Sequence, residues 1–256
     1  MESFKSSDIA QWSVHGIPAF QDNYLWAIVH EPTKRACVVD PGCSQSVQSF
    51  LDANGYHLSG ILVTHHHLDH VGGIPMLIKT HGADLPVYGP ASGRIAQVNR
   101  PCREGDFVEV LGLSIRVLEV PGHTSDHIAY VAEFGSFGNE GVWMFCGDTL
   151  FSAGCGRLFE GSAEQMFDSL QKLNQFPAHT LVFCAHEYTT ANLRFAQAMA
   201  PDSANIAKRI LEVETIRNRG MSTIPTTLGT ERLSNLFMNA KNPIEFKELR
   251  ESKDRF

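Results

Sequence analysis

Thr64-His65-His66-His67-Leu68-Asp69-His70 is the stretch on which the reading of this 256-residue chain turns. Gly60-Ile61-Leu62-Val63 ahead of it is a short apolar run and reads as a buried strand. Val71–Ile78 behind it reads as the start of a helix that runs to about His81. The histidines therefore sit on a strand-to-helix loop, where open α/β architectures place their chemistry. Packing does not explain so dense a set of imidazoles and carboxylates beside an apolar strand, and a metal site does.

The spacing says how such a site is shared. His65 and His67 are two apart, so in an extended segment they share a face and reach one cation. His66 points to the other face. Asp69 and His70 follow the turn and face a second point. Imidazole with carboxylate suits zinc, iron or manganese. Three more ligand-type residues stand just beyond apolar strands: His123 after Val117–Val120, Asp148 after Trp143–Cys146, and His186 after Leu181–Cys184. Taken singly, either histidine reads as structural and Asp148 as a turn cap. Taken together with the loop they bring the donors to seven, five histidines and two aspartates. One metal takes three or four protein ligands, so seven fit two metals with one shared carboxylate. Asp40, at another strand end, is expected to support the loop by hydrogen bonds. His15, His57, His81, His127 and His179 read as structural.

Length and composition set the frame. The chain is long enough for one large domain or two unequal ones. It is 43% hydrophobic and 19% charged, as soluble globular proteins are. A net charge of −7 disfavours nucleic-acid binding, whose footprint is basic. Met1–Asp8 shows no apolar signal region, and no run approaches the roughly 18 apolar residues that span a bilayer. The six cysteines form no C-x-x-C pair and read as free thiols in a reducing cytoplasm. Strands and helices alternate as far as Glu187, with paired strands in the middle. Ile17–Tyr24 reads as a turn, and Phe107–Leu111 with Ser114–Val120 as a hairpin about Gly112. Beyond Glu187 the pattern is helical, at Thr190–Ala200, Ser203–Arg219 and Pro243–Ser252. The segment holding Gly220, Pro225 and Gly229 reads as a loop. The expected organisation is a layered α/β catalytic domain over 1–188 and a smaller helical domain over 189–256.

T-H-x-H-x-D-H, with a later His, Asp and His at strand ends, resembles the metallo-β-lactamase superfamily signature over roughly residues 13–188. Gly147–Phe151, Gly154–Gly161, Cys184–Thr189 and Leu249–Phe256 further resemble the glyoxalase II family of hydroxyacylglutathione hydrolases. That resemblance implies an αββα sandwich with a smaller C-terminal helical domain that covers the site. It implies two divalent metals, zinc first, with iron or manganese as alternatives. His65, His67 and His123 would hold one, Asp69, His70 and His186 the other, and Asp148 with a water or hydroxide would bridge them. Arg157, Phe159 and Tyr188 match the family's substrate positions. Arg157 stands where many members have Lys, which keeps the charge. Phe159 stands where many have Tyr, which removes a hydroxyl. Arg250 and Lys253, three apart on one helix, would meet the glycine carboxylate of a glutathione thioester. From spacing alone both read as a solvated helix end.

The implied reaction is hydrolysis of S-D-lactoylglutathione by a cytoplasmic monomer that needs neither nucleic acid nor membrane. Asp69 would also orient the nucleophile, and no Ser-His-Asp or Cys-His pattern is present. Three rivals remain. Another hydrolase on the same scaffold is one, though a nuclease would want a basic surface. A mono-iron oxidoreductase of the persulfide dioxygenase type is the second, and retained Asp69, His70 and His186 argue for two metals instead. A non-catalytic metal-binding module is the third.

Overall fold

In the computed structural model the described residues are 10–135, 138 and 141–256; Met1–Asp8, read above, lies outside them. The chain divides into two compact units. One holds the residues up to Glu119 with Ile128–Gly147, the other Val120–His127 with Asp148–Phe256.

In the first unit, β1 (Trp12–Ala19) and β2 (Asn23–His30) pair antiparallel from Trp12↔His30 to Ala19↔Asn23. The turn expected over Ile17–Tyr24 is thus confined to Phe20–Asp22. Pro18, taken as a turn residue, is tolerated because β1 is an edge strand. β3 (Arg35–Val39) runs antiparallel to β2, and β4 (His57–Leu62), β5 (Val87–Pro90) and β6 (Arg100–Cys102) continue the sheet in parallel. Helix α1 (Ser44–Asn54) ends at Gly55, whose φ of +66° suits a residue without Cβ. Val47 and Leu51 of α1 share one core with Val38, Ile61, Val63, Ile74 and Leu77.

The helix expected from Val71 instead begins at Leu68 and is cut in two: α2 (Leu68–Val71) and α3 (Ile74–His81). Gly72 and Gly73 mark the break. A Cβ on Gly73 would lie 2.4 Å from Pro41 O and one on Gly72 2.7 Å from Leu68 O, so the backbone passes where no side chain fits. The hairpin about Gly112 is present as β7 (Phe107–Val110) and β8 (Leu113–Glu119), joined by β9 (Ile128–Phe134) and β10 (Gly141–Gly147), all antiparallel. These strands are tied to the first sheet where the histidine loop begins: Tyr130 Oη donates to Val63 O at 3.0 Å, and Ile128 N to Thr64 O at 3.0 Å.

The second unit opens its regular structure with the small hairpin β11 (Leu150–Phe151) and β12 (Gly154–Cys155). Helix α4 (Ala163–Leu173) starts with a capping box between Ser162 and Gln165 and buries Met166, Leu170 and Leu173. Strand β13 (Leu181–Cys184) leads to α5 (Thr189–Met199) and α6 (Ala204–Arg217). The expected loop about Pro225 and Gly229 holds β14 (Thr226–Thr227), antiparallel to β13, and α7 (Leu228–Ser234), capped by Thr227. Seven residues with an internal glycine carry no periodic signal. Burial of Leu228, Glu231 and Ser234 makes the helix. Helix α8 (Pro243–Asp254) closes the chain with Asn242 as its cap. Among the described residues no helix is long and apolar enough to cross a membrane.

Candidate metal centre and adjoining cavity

The first unit builds its part of the site from Asp40 outward. Asp40 follows β3 at φ +51°, is 4% exposed, and accepts from Thr64 N and Thr64 Oγ1, both at 2.7 Å. Its Oδ2 also takes the Nδ1 proton of His70 at 3.0 Å, which turns His70 Nε2 outward. The Thr64 hydroxyl, its own proton given to Asp40, accepts from His65 Nδ1 at 3.0 Å and frees His65 Nε2. His65 Nε2 then lies 3.1 Å from His67 Nδ1, and His70 Nε2 lies 3.4 Å from Asp69 Oδ2. Asn23 Nδ2 holds that same Asp69 oxygen at 3.0 Å. His66 is set apart: its ring centroid is 6.4 Å from that of His65, against 4.7 Å for His67. Gly42 is obligatory beneath the loop, since a Cβ there would meet Asp69 O at 1.8 Å.

The second unit centres on Asp148. Its Oδ2 lies 3.4 Å from His123 Nε2 and its Oδ1 3.5 Å from His186 Nε2, so each oxygen serves a different imidazole. His123 Nδ1 donates to Arg157 O at 2.9 Å, which again leaves Nε2 as the donor atom. Asp148 N donates to His127 Nε2 at 3.1 Å, and His127 Nδ1 is 3.3 Å from Thr149 Oγ1. The structural reading of His127 agrees with this place. His127 is fully buried and fixes the backbone that carries Asp148. Its position in His123-Thr124-Ser125-Asp126-His127 held the only signal.

These donor spacings fit a divalent cation. Two ligands about 2.0–2.1 Å from a tetrahedral ion stand about 3.3–3.4 Å apart. The four pairs above lie 3.1–3.5 Å apart.

His123 and Asp148 also line a cavity of about 680 Å³ with Phe151, Arg157, Phe159, Tyr188, Arg194, Arg250, Lys253 and Phe256. That volume is typical of a small-molecule site. Tyr188 stacks on His186 at 4.7 Å with an interplanar angle of 7°, and Phe159 meets His123 edge-on at 5.2 Å.

The chain is similar to known proteins over residues 22–256. The metallo-β-lactamase superfamily matches residues 22–186 and the hydroxyacylglutathione hydrolase C-terminus matches 187–256. A hydroxyacylglutathione hydrolase of Cupriavidus taiwanensis is 49% identical, covering 90% of this chain and 87% of its own. Another from Hahella chejuensis is 48% identical, covering 89% and 86%. The chain belongs to the hydroxyacylglutathione hydrolases. Among solved structures, ETHE1 from Myxococcus xanthus superimposes with a TM-score of 0.69 at 26% identity, covering 94% of this chain and 89% of its own. The BLEG-1 B3 metallo-β-lactamase does so at 0.64 and 19% identity, covering 89% and 100%, a likeness of fold.

In this hydroxyacylglutathione hydrolase, Arg250 departs from the solvated helix end that its spacing suggested. It is 3% exposed, donates through Nη1 to Cys155 O and through Nη2 to Asp254, each at 3.0 Å, and lies over the Phe237 ring at 5.1 Å. The Lys253 ammonium lies 5.1 Å over the Phe195 ring. Two buried carboxylates that sequence reading missed steady these walls. Glu231, drawn up by burial and back down by its donors, accepts from Ala153 N, Thr226 Oγ1 and Asn235 Nδ2. Glu187 accepts from Thr223 N beside His186.

Gly156 packs against the Asp148 backbone: a Cβ there would fall 2.0 Å from Asp148 O and 3.1 Å from His123 Nδ1. Gly156→Ala is therefore expected to lower kcat/KM by about 100-fold, since a misplacement of about 1 Å costs that much. Steady-state kinetics with a melting curve checks this, and wild-type activity would refute the close fit.

Proposed function

We propose that the chain hydrolyses S-2-hydroxyacylglutathione thioesters, S-D-lactoylglutathione first, to glutathione and D-lactate, the second step of methylglyoxal detoxification. One observation carries the reading: the donors His123 and Asp148 line the same cavity as the cations Arg157, Arg194, Arg250 and Lys253. A negative protein thereby offers an anionic thioester a local positive pocket. Family membership and the donor spacings support two divalent ions, zinc first. His65, His67 and His123 would hold one, Asp69, His70 and His186 the other, with Asp148 shared. When bound, such ions supply Lewis acidity and a water whose pKa is lowered toward neutrality.

The chain's own residues do the rest. Arg157, Lys253 and Arg250 draw in the glycine carboxylate, and Tyr188 and Phe159 wall the thioester. Phe159 offers no hydroxyl, so that contact is apolar only. Asp69, one oxygen held by Asn23, orients the attacking water. The water gives its proton up to solvent and adds to the carbonyl carbon, so the C–O bond forms first; collapse of the tetrahedral oxyanion then breaks the C–S bond, and the thiolate departs without a general acid because its conjugate pKa is about 8–9. The same reading takes 1–188 as the catalytic domain and 189–256 as the substrate-binding domain, supported by family matches that meet at 186 and 187. It takes the protein as cytoplasmic, supported by six cysteines that are all free thiols, and as a monomer.

The test is a thioester assay on protein with its metals counted. Release of glutathione from S-lactoylglutathione is expected, and metal-loaded protein without it would end the proposal. Burial, with the neighbouring Arg250 charge second, lowers the Lys253 ammonium to about 8. It carries charge below that pH and loses it above. The KM for the anionic substrate is therefore expected to rise as pH climbs through about 8. Lys253→Gln should remove that limb of the kcat/KM profile, and an unchanged limb would acquit Lys253.

A further inference from the structure

Four cationic side chains line the cavity, and two of them share one acid. Asp254 Oδ1 accepts from Arg250 Nη2 at 3.0 Å and lies 3.7 Å from Arg157 Nε. Among the described residues Asp254 is the acid that pairs with any of Arg157, Arg194, Arg250 and Lys253. Its place in the fold is not explained by helix stability. A carboxylate in the last turn of α8 opposes the helix dipole. Its side chain is 43% exposed, so burial does not hold it either. The Arg250 side chain is 4% exposed, and a guanidinium so enclosed needs a negative partner. Its Nε is buried without one.

We infer that Asp254 is a specificity-determining counter-charge: it partly neutralises Arg250 and Arg157, the carboxylate-binding arginines of the cavity, and so limits how tightly an acid-ended ligand is held. The inference rests on the glutathione-thioester reading. An arriving carboxylate meets Arg250 and Arg157 already partly satisfied, and its gain is the difference between two anions instead of the whole attraction. Substrate and the glutathione product both carry that carboxylate, so the same charge that raises KM also hastens product departure. A ligand with its carboxylates esterified has nothing to exchange and is indifferent to Asp254.

Asp254→Asn separates charge from shape, because the amide oxygen still accepts from Arg250 Nη2. Titration calorimetry with glutathione and with its diester, beside KM for S-lactoylglutathione, reads the outcome. Glutathione is expected to bind about threefold tighter to the variant, a modest change for so exposed a pair. KM should fall in parallel, the diester should bind alike to both proteins, and the difference should shrink in high salt. Equal or weaker glutathione binding by Asp254→Asn, with wild type active, would overturn the counter-charge and leave the enzymatic reading intact. Wild type that neither binds glutathione nor cleaves the thioester would overturn both.

Discussion

Asp148→Ala is expected to abolish thioester hydrolysis, by about 10³-fold or more in kcat/KM, and to strip the protein of metal on dialysis. The Asp148 carboxylate faces His123 through one oxygen and His186 through the other. Removing it leaves two imidazoles with no shared anion between them. A metal site typically contributes several kcal/mol of charge stabilisation, and each 1.36 kcal/mol is tenfold in rate. The fold should survive, because the contact that holds this segment, His127 Nε2 to Asp148 N, uses the backbone. Metal analysis, circular dichroism and kinetics on one preparation decide it. A folded variant that keeps its metal and more than a tenth of its activity would contradict the assignment of Asp148.

Asp40→Ala should have the largest effect on stability. The carboxylate accepts from Thr64 N, Thr64 Oγ1 and His70 Nδ1 while 4% exposed. Its loss strands three buried donors, at about 1–3 kcal/mol each before relaxation. A net loss of about 3–5 kcal/mol lowers Tm by roughly 10 °C in a chain of this size. His70 also loses the partner that turns Nε2 outward, so metal affinity should fall about 10- to 100-fold. Asp40→Asn keeps one acceptor and should recover part of the stability and less of the metal affinity. Calorimetry with and without excess zinc separates the two effects. If Asp40→Ala melts with wild type, Asp40 does not organise the loop.

Sequence and structure divide the explanation unevenly. The strand before Thr64, the hairpin about Gly112 and the helices α5, α6 and α8 were legible because each carries its own period or cap. Strand β1 was not, because Pro18 and the Phe20–Asp22 turn masked its alternation. Nor was α7, which tertiary burial of Leu228, Glu231 and Ser234 holds together. Glu187 and Glu231 went unread, and the contact of the structurally read His127 unspecified, for a similar reason: what each does depends on a backbone amide or hydroxyl brought to it by the fold, and nothing in local spacing announces that.

The chain by itself determined the donor types and their order. Imidazole and carboxylate at 65, 67, 69 and 70 specify metal chemistry through ligand identity, and each pair's reach follows from strand and turn periodicity. Only the tertiary structure decided which nitrogen His65, His70 and His123 offer, because their tautomers are set by Thr64, Asp40 and the Arg157 carbonyl. It alone also decided that Arg250, which any local reading leaves in water, is buried against Phe237 with Asp254 as its counter-charge. Burial and charge pairing are properties of the packed chain, and residue order constrains them without displaying them.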